Sequence, residues 1–199
     1  MIKKLIPEIR RTILISASPR RKEILEGAGL KPEITPVQVD ESWKSGEHAV
    51  DYSVRIAERK LISYLNNYDQ FNQDLYIAAD TIVSIDDQLL PKPSSPTNAY
   101  EMLQKLSGRK HEVITGVAFR WRNKQIIFHE TTEVYFKSLT SREINAYIET
   151  GEPFDKAGSY GIQGYGRILI EKIEGCFFNV MGFPIHRFYT ELLKMKENM

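Results

Sequence analysis

The sequence predicts a mixed α/β protein, a twisted sheet with flanking helices. Segments with helix-start signals alternate with β-branched runs, as crossover connections do. Two long strand-like runs between residues 111 and 137 are joined by a short turn, as in a hairpin. The chain has 199 residues, 42% of them hydrophobic and 27% charged, an ordinary composition for a globular protein with a full core. No repeat, low-complexity tract or linker stands out, so residues 1–199 read as one domain.

Each element has a local reason. Residues 12–17 read as a short buried strand. Ser18-Pro19 then starts a helix, with Ser as N-cap and Pro at the first helical position. Ile24, Leu25 and Ala28 give that helix an apolar side, and Gly29 suits its C-cap. Residues 33–39 look like a second strand. Val54, Ala57, Leu61 and Leu65 recur at helical spacing, and that helix should end near Asn66-Asn67. Leu75–Ile85, "LYIAADTIVSI", is an apolar strand interrupted by Asp80-Thr81, and Asp86-Asp87 is a turn signal. "SSPTNAYEMLQKLSG" is a helix capped by Ser95 or Thr97 and closed by Gly108. The runs 111–121 and 125–137 form the hairpin, turning at Arg122-Asn123-Lys124. Thr140-Ser-Arg-Glu143 matches a capping box for a helix to about Thr150. A glycine-rich tract, "GEPFDKAGSYGIQGYG", follows. Strands around 167–173 and 177–181 and a helix from about Pro184 complete the chain.

The totals narrow the function classes. The net charge is +1, so no global field favours nucleic acid or membrane, and an anion site must be built locally. One cysteine, Cys176, rules out an internal disulfide and a cysteine-based metal cluster. Four scattered histidines make a histidine-rich metal site improbable. No apolar stretch approaches the roughly 18–20 residues of a membrane helix. "MIKKLIPEIRR" lacks the apolar core and cleavage site of a signal peptide. The expected location is therefore the cytoplasm, with neither nucleic acid nor membrane as partner.

Four places carry candidate chemistry. The first is "ILISASPRRK", where a strand gives way to a helix start beside three cations. Unsatisfied N–H groups there, with Ser16, Ser18, Arg20 and Arg21, suit a phosphate or carboxylate. The plain alternative is a capped helix with solvated cations, and the glycine spacing of a Walker loop is absent. The second is Asp80, a carboxylate in an apolar strand, which is costly unless paired or metal-bound. It suits a metal ligand or a general base, and otherwise a strand-end acid facing solvent. The third is a scattered set: Asp40-Glu41 after a strand, Lys60 flanking an apolar helix face, and Lys92 between two prolines. Singly these read as surface residues. Together they supply the cations and acids of phosphoryl chemistry. The fourth is "DKAGSYGIQG", whose glycines permit close backbone approach around Asp155, Lys156 and Gln163. An amide such as Gln163 both donates and accepts, as reading a base edge requires.

In this order the stretches "SASPRRKEIL", "AADTIV", "KP", "AYEMLQKLSG", "EVITGV", "GEPFDKAGSYGIQGYG" and "NVMGFPI" resemble the Maf family, the septum-formation Maf-like nucleotide pyrophosphatases. The match spans about residues 12–190. The resemblance implies two lobes around a central cleft, similar to the inosine-triphosphate pyrophosphatases, and a homodimer. It implies hydrolysis of a nucleoside triphosphate to monophosphate and pyrophosphate with a divalent metal, Mg²⁺ or Mn²⁺. It assigns the proton acceptor to Asp80. Arg20, Thr81 and Gln163 match the branch that acts on dTTP and UTP. The branch acting on 7-methyl-GTP carries a bulky aromatic, Gln and Glu at those places. Pro91 before Lys92, and Met181 and Phe183 in "NVMGFPI", depart from the family pattern, and the N-terminal extension has no assigned role.

The expected mechanism has the triphosphate along the turn at Ser16–Arg21, with Glu41 and Asp80 holding metal and Lys60 and Lys92 stabilising the pyrophosphate. Asp80 takes the proton of the water that attacks the α-phosphorus. Lys22, further round the helix, reads as solvated. Alternatives are the same reaction on 7-methyl-GTP, CTP or a modified nucleotide, and a non-catalytic nucleotide-binding regulator of cell division.

Overall fold

The computed structural model describes residues 1–198. In chain order the elements are α1 (Ile2–Leu5), β1 (Thr12–Leu14), α2 (Pro19–Gly27), β2 (Pro32–Ile34), α3 (Ala49–Asn67), β3 (Leu75–Ile85), β4 (Gln88–Leu90), α4 (Pro96–Leu106), β5 (Lys110–Trp121), β6 (Lys124–Phe136), α5 (Ser141–Glu149), β7 (Ile170–Glu174), α6 (Phe177–Val180) and α7 (Ile185–Glu197). Three short 3-10 turns lie between α5 and β7. The strands form one sheet in the order β2-β1-β3-β5-β6-β7, with β4 paired to β3. β1 is parallel to β2 and β3, whereas β3–β4 and β6–β7 are antiparallel. The sheet is mixed, as expected.

The chain packs as two compact units. The first holds Met1–Asp80, Thr115–Glu130 and the segment from Gly182. Its core joins Ile13 and Ile15 to Ala57, Leu61, Tyr64 and Leu65 of α3 and to Tyr76 and Ala78 of β3. Ala57, Leu61 and Leu65 are periodic positions of the sequence, so that stripe faces the sheet; Val54, the fourth, is only half-buried and outside this cluster, and Tyr64 joins it instead. Gly116 of β5 lets α3 approach closely: a Cβ there would lie 2.3 Å from the Ser53 carbonyl oxygen. The N-terminal extension is packed within this unit, since Ile2, Ile6 and Ile9 are all buried. It is anchored at its far end by charge. Arg10 donates to Asp74 at 2.8 and 3.0 Å, and Arg11 at 3.1 and 2.7 Å. Burial alone would raise the Asp74 carboxyl, but the two guanidiniums outweigh it and hold the group below the usual carboxylate range. Phe183 is fully buried and packs on Phe188 at a centroid distance of 5.2 Å, which accounts for a large side chain at that position.

The second unit holds Thr81–Ile114 and Thr131–Met181. Its core joins Val83 and Ile85 of β3 to Met102, Leu103 and Leu106 of α4, Ile144 and Tyr147 of α5, and Phe136 and Tyr160. Ser95 caps α4 by accepting from the Asn98 N–H at 3.1 Å, and Thr140 and Glu143 complete the capping box of α5. Burial of these apolar faces provides most of the stability of such helices, and the caps fix where they begin.

The strand expected at 33–39 is only Pro32–Ile34, the one expected at 167–173 begins at Ile170 after a 3-10 turn, and the N-terminal extension holds α1; two further elements also differ. Gln88–Leu90 forms β4, reached through Asp86 and Asp87 at φ 52° and 57°, a two-residue turn that returns the chain onto β3. Residues 177–181, expected as a strand, hold helix α6 instead. Gly175, at φ 127°, breaks the line of β7. Buried Asn179 then donates to Val113 O at 2.9 Å and Thr132 Oγ1 at 3.0 Å, tying the segment down in helical form. Tertiary hydrogen bonds here override the β propensity of the local sequence.

Candidate active site

β3 is buried at every position except Asp80 and Thr81, which are half-buried. Successive strand residues point to opposite faces, so the two side chains lie on opposite faces of β3. Asp80 ends the first unit's share of β3 and Thr81 begins the second's.

In the first unit, Lys60 of α3, which taken singly reads as a surface residue, reaches inward instead. Its Nζ lies 2.7 Å from Asp80 Oδ1 and 2.8 Å from Glu41 Oε1, so one ammonium joins the two acids. Burial pushes the Asp80 carboxyl above its ordinary value, and the attraction of Lys60 and Arg21 only partly offsets this. Glu41 lies in a loop that α3 grips from one side. Tyr52 Oη donates to Glu41 O at 2.9 Å, Arg55 Nη2 to Ser42 O at 3.0 Å, and Arg59 Nη1 to Asp40 O at 2.8 Å. Sequence reading missed these three. Their i, i+3/i+4 and i, i+7 spacing along α3 was visible, but not the loop that they hold.

At the opening turn, Ser18 is the N-cap of α2 and accepts from the Arg21 N–H at 3.5 Å. Ser16 Oγ accepts from Arg21 Nη1 at 2.9 Å and from the Ser18 N–H at 3.2 Å. A hydroxyl has two acceptor positions and one donor, so both acceptor positions of Ser16 are taken up within the turn. Arg21 is buried; it also donates to Gly182 O and Ala79 O, each at 2.9 Å. Its charge therefore stands behind the turn, whereas Arg20 is half-buried. Lys22 is exposed and lies 3.8 Å from Glu26, the solvated role expected of it.

In the second unit, Lys156 Nζ pairs with Asp155 at 2.6 Å and donates to Glu152 O at 2.8 Å. This lysine therefore braces its own loop. Lys92 is exposed. Gln163 is half-buried in a loop organised by Glu152, a residue that sequence reading passed over. Glu152 accepts from Tyr147 Oη at 2.8 Å and from the N–H groups of Tyr165 at 2.6 Å and Gly166 at 3.1 Å.

The donor set suits a hard cation. Glu41 and Asp80 offer only oxygen, and both already reach a single positive centre at Lys60. Among the described residues no group of three or more His, Cys, Asp or Glu assembles. Mg²⁺ characteristically binds through one or two carboxylates and completes its shell with water and substrate phosphates, so two acids are sufficient. No helix among the described residues is long and apolar enough to cross a membrane.

A family model described as "Maf-like protein" matches residues 11–195. A dTTP/UTP pyrophosphatase of Bacillus thuringiensis subsp. konkukian is 45% identical over 184 residues, 92% of this chain and 95% of that protein. One of Clostridioides difficile is 44% identical over 92% of this chain and 93% of that protein. One of Syntrophomonas wolfei is 42% identical over 94% and 98%. A solved structure of the Staphylococcus aureus Ham1 protein aligns with a TM-score of 0.45 and 13% identity over 81% of this chain and 80% of that one, a likeness too weak to bear an argument. The family match over nearly the whole chain and the identities above 40% lead to one conclusion: this chain belongs to the Maf-like protein family.

Proposed function

We propose that the protein is a nucleoside triphosphate pyrophosphatase that hydrolyses dTTP and UTP to the monophosphate and pyrophosphate. The observation that carries this reading is the half-buried Asp80 carboxylate joined through Lys60 to Glu41, in a chain whose relatives bear that activity in their names. A buried acid with an upward-shifted pKa is a stronger base than an exposed one, as a proton acceptor should be.

Arg20 and the Ser16–Ser18 turn bind the triphosphate, with the buried charge of Arg21 adding to the field. Glu41 and Asp80 would hold Mg²⁺ or Mn²⁺, which supplies charge neutralisation of the phosphates and Lewis acidity. Asp80 accepts a proton from a water molecule as its oxygen forms a bond to the α-phosphorus. The bond from that phosphorus to the bridging oxygen breaks, and pyrophosphate carries away the electron pair. Lys60 and Lys92 stabilise the leaving charge. Gln163 reads the base: uracil and thymine present an O–N(H)–O edge, which a side chain that both donates and accepts matches. Arg20 and Thr81 complete the selectivity. Asp155 and Lys156 hold the loop that carries Gln163. The working form is a cytoplasmic homodimer.

Hydrolysis of UTP in ¹⁸O-labelled water tests the point of attack. Label in UMP is expected. Label in pyrophosphate, or release of UDP and inorganic phosphate, would overturn it.

A further inference from the structure

The glycine-rich loop is built around one carboxylate. Glu152 Oε2 accepts from the Tyr165 N–H, and Oε1 from the Gly166 N–H and Tyr147 Oη. Tyr147 Oη in turn accepts from the Gly161 N–H at 3.1 Å. Backbone on either side of Gln163 thus converges on the same acid. The glycines stand where the approach is closest. A Cβ on Gly164 would lie 1.9 Å from Glu152 Oε2, and one on Gly166 would lie 2.5 Å from Gly161 O. Arg167 grips the opposite polarity of the same stretch, donating to the carbonyls of Gly164 at 2.7 Å and of Gln163. Charge-assisted hydrogen bonds of this kind are about twice as strong as neutral ones. Glycines at 161, 164 and 166 also leave the free backbone many alternatives, so a fixed geometry at 163 needs an external template.

We infer that Glu152 is a positioning residue for nucleobase selectivity, its carboxylate templating residues 161–166 so that Gln163 presents its amide in one orientation. The inference rests on the base-reading role proposed for Gln163. The contacts of Glu152 are to Tyr147, Tyr165 and Gly166 of its own unit. It acts by removing alternative conformations of the loop, so its loss falls on the discrimination between bases and spares the phosphate chemistry.

The variant Glu152→Gln keeps the volume and replaces one acceptor oxygen by an NH₂, which confronts the loop's own N–H donors. Tyr147→Phe removes only the hydroxyl that links Gly161 to the carboxylate. For both, kcat and KM would be measured on UTP, dTTP and CTP, with amide hydrogen exchange at Tyr165 and Gly166. The expected result for Glu152→Gln is a loss of UTP-over-CTP preference of about tenfold or more. It should be carried by KM, with kcat within about threefold and faster exchange at both amides. Tyr147→Phe should show a smaller loss in the same direction. An unchanged preference in both variants, or an equal fall in kcat for all three nucleotides, would make Glu152 a structural residue only and overturn the inference. Wild-type protein without turnover of any of the three would fail the proposed function itself, and the inference would fall with it.

Discussion

Asp80→Asn keeps the size and shape of the side chain and removes its charge and its basicity. General-base catalysis is worth about 10²–10⁴ in rate, or about 3–5 kcal/mol of barrier. Turnover of UTP at saturating substrate should therefore fall at least about a hundredfold. Stability should move the other way. Lys60 Nζ lies 2.7 Å from Asp80 and 2.8 Å from Glu41. At an effective dielectric of about 20, the Asp80 contact has a gross attraction of about 6 kcal/mol, whereas Glu41 is about half exposed and its attraction is screened by solvent. The variant keeps the Glu41 contact. The Asp80 attraction is opposed by the hydration that the carboxylate gives up on burial, and the raised pKa shows that burial wins over Lys60 and Arg21 together. The folded state holds this proton more tightly than the unfolded state, so at neutral pH the charge costs stability. Asp80→Asn should melt at or above the wild-type temperature. Turnover within about tenfold of wild type would refute the base assignment. A fall in Tm of more than about 4 °C, on the order of 1 kcal/mol or more, would make Asp80 a structural ion-pair partner.

Three further perturbations test the surrounding fold. Asp74→Asn should lower stability at neutral pH by about 1–3 kcal/mol in urea titrations, since it loosens the grip of Arg10 and Arg11. Because the folded-state pKa of Asp74 is depressed, that stability is present above the ordinary carboxylate value and is lost as pH falls through the depressed one, so wild type and variant should converge in acid. Burial drives His111 down to about 4 from 6.5, so the fold should lose about 3 kcal/mol as pH falls from 6.5 to 4. His111→Phe should flatten that slope in pH-dependent melting, at the expense of the 2.7 Å contact to Tyr160 Oη. Gly116→Ala would force a methyl against the Ser53 carbonyl and should cost about 1–3 kcal/mol or more in melting experiments. It should also reduce turnover, because α3 carries Lys60.

The candidate site was legible where its signal was local. A carboxylate in the apolar run of β3, a Ser-Pro helix start and a lysine beside an apolar stripe are each written within a dozen residues. They led to Asp80, Ser18 and Lys60. What the local pattern hid was the partner. Arg21 looked like a ligand for phosphate, yet its guanidinium turns inward to carbonyls 58 and 161 residues away in sequence. Glu152 carries no local signal, because its N–H partners lie 13 and 14 residues on, in a loop without periodicity. Tyr52 and Arg55 have partners 11 and 13 residues back, in the loop before α3, which their helical spacing does not reveal. The strand expected at 177–181 failed on side-chain bonds from Asn179 that no propensity encodes.

The most direct test of the central claim is pyrophosphate release from a panel of dTTP, UTP, CTP, GTP and 7-methyl-GTP, each with Mg²⁺ or Mn²⁺ and with chelator. Metal-dependent release confined mainly to dTTP and UTP is predicted. Release centred on 7-methyl-GTP would contradict the roles given to Arg20, Thr81 and Gln163, and turnover of none of the five would contradict the enzyme reading itself.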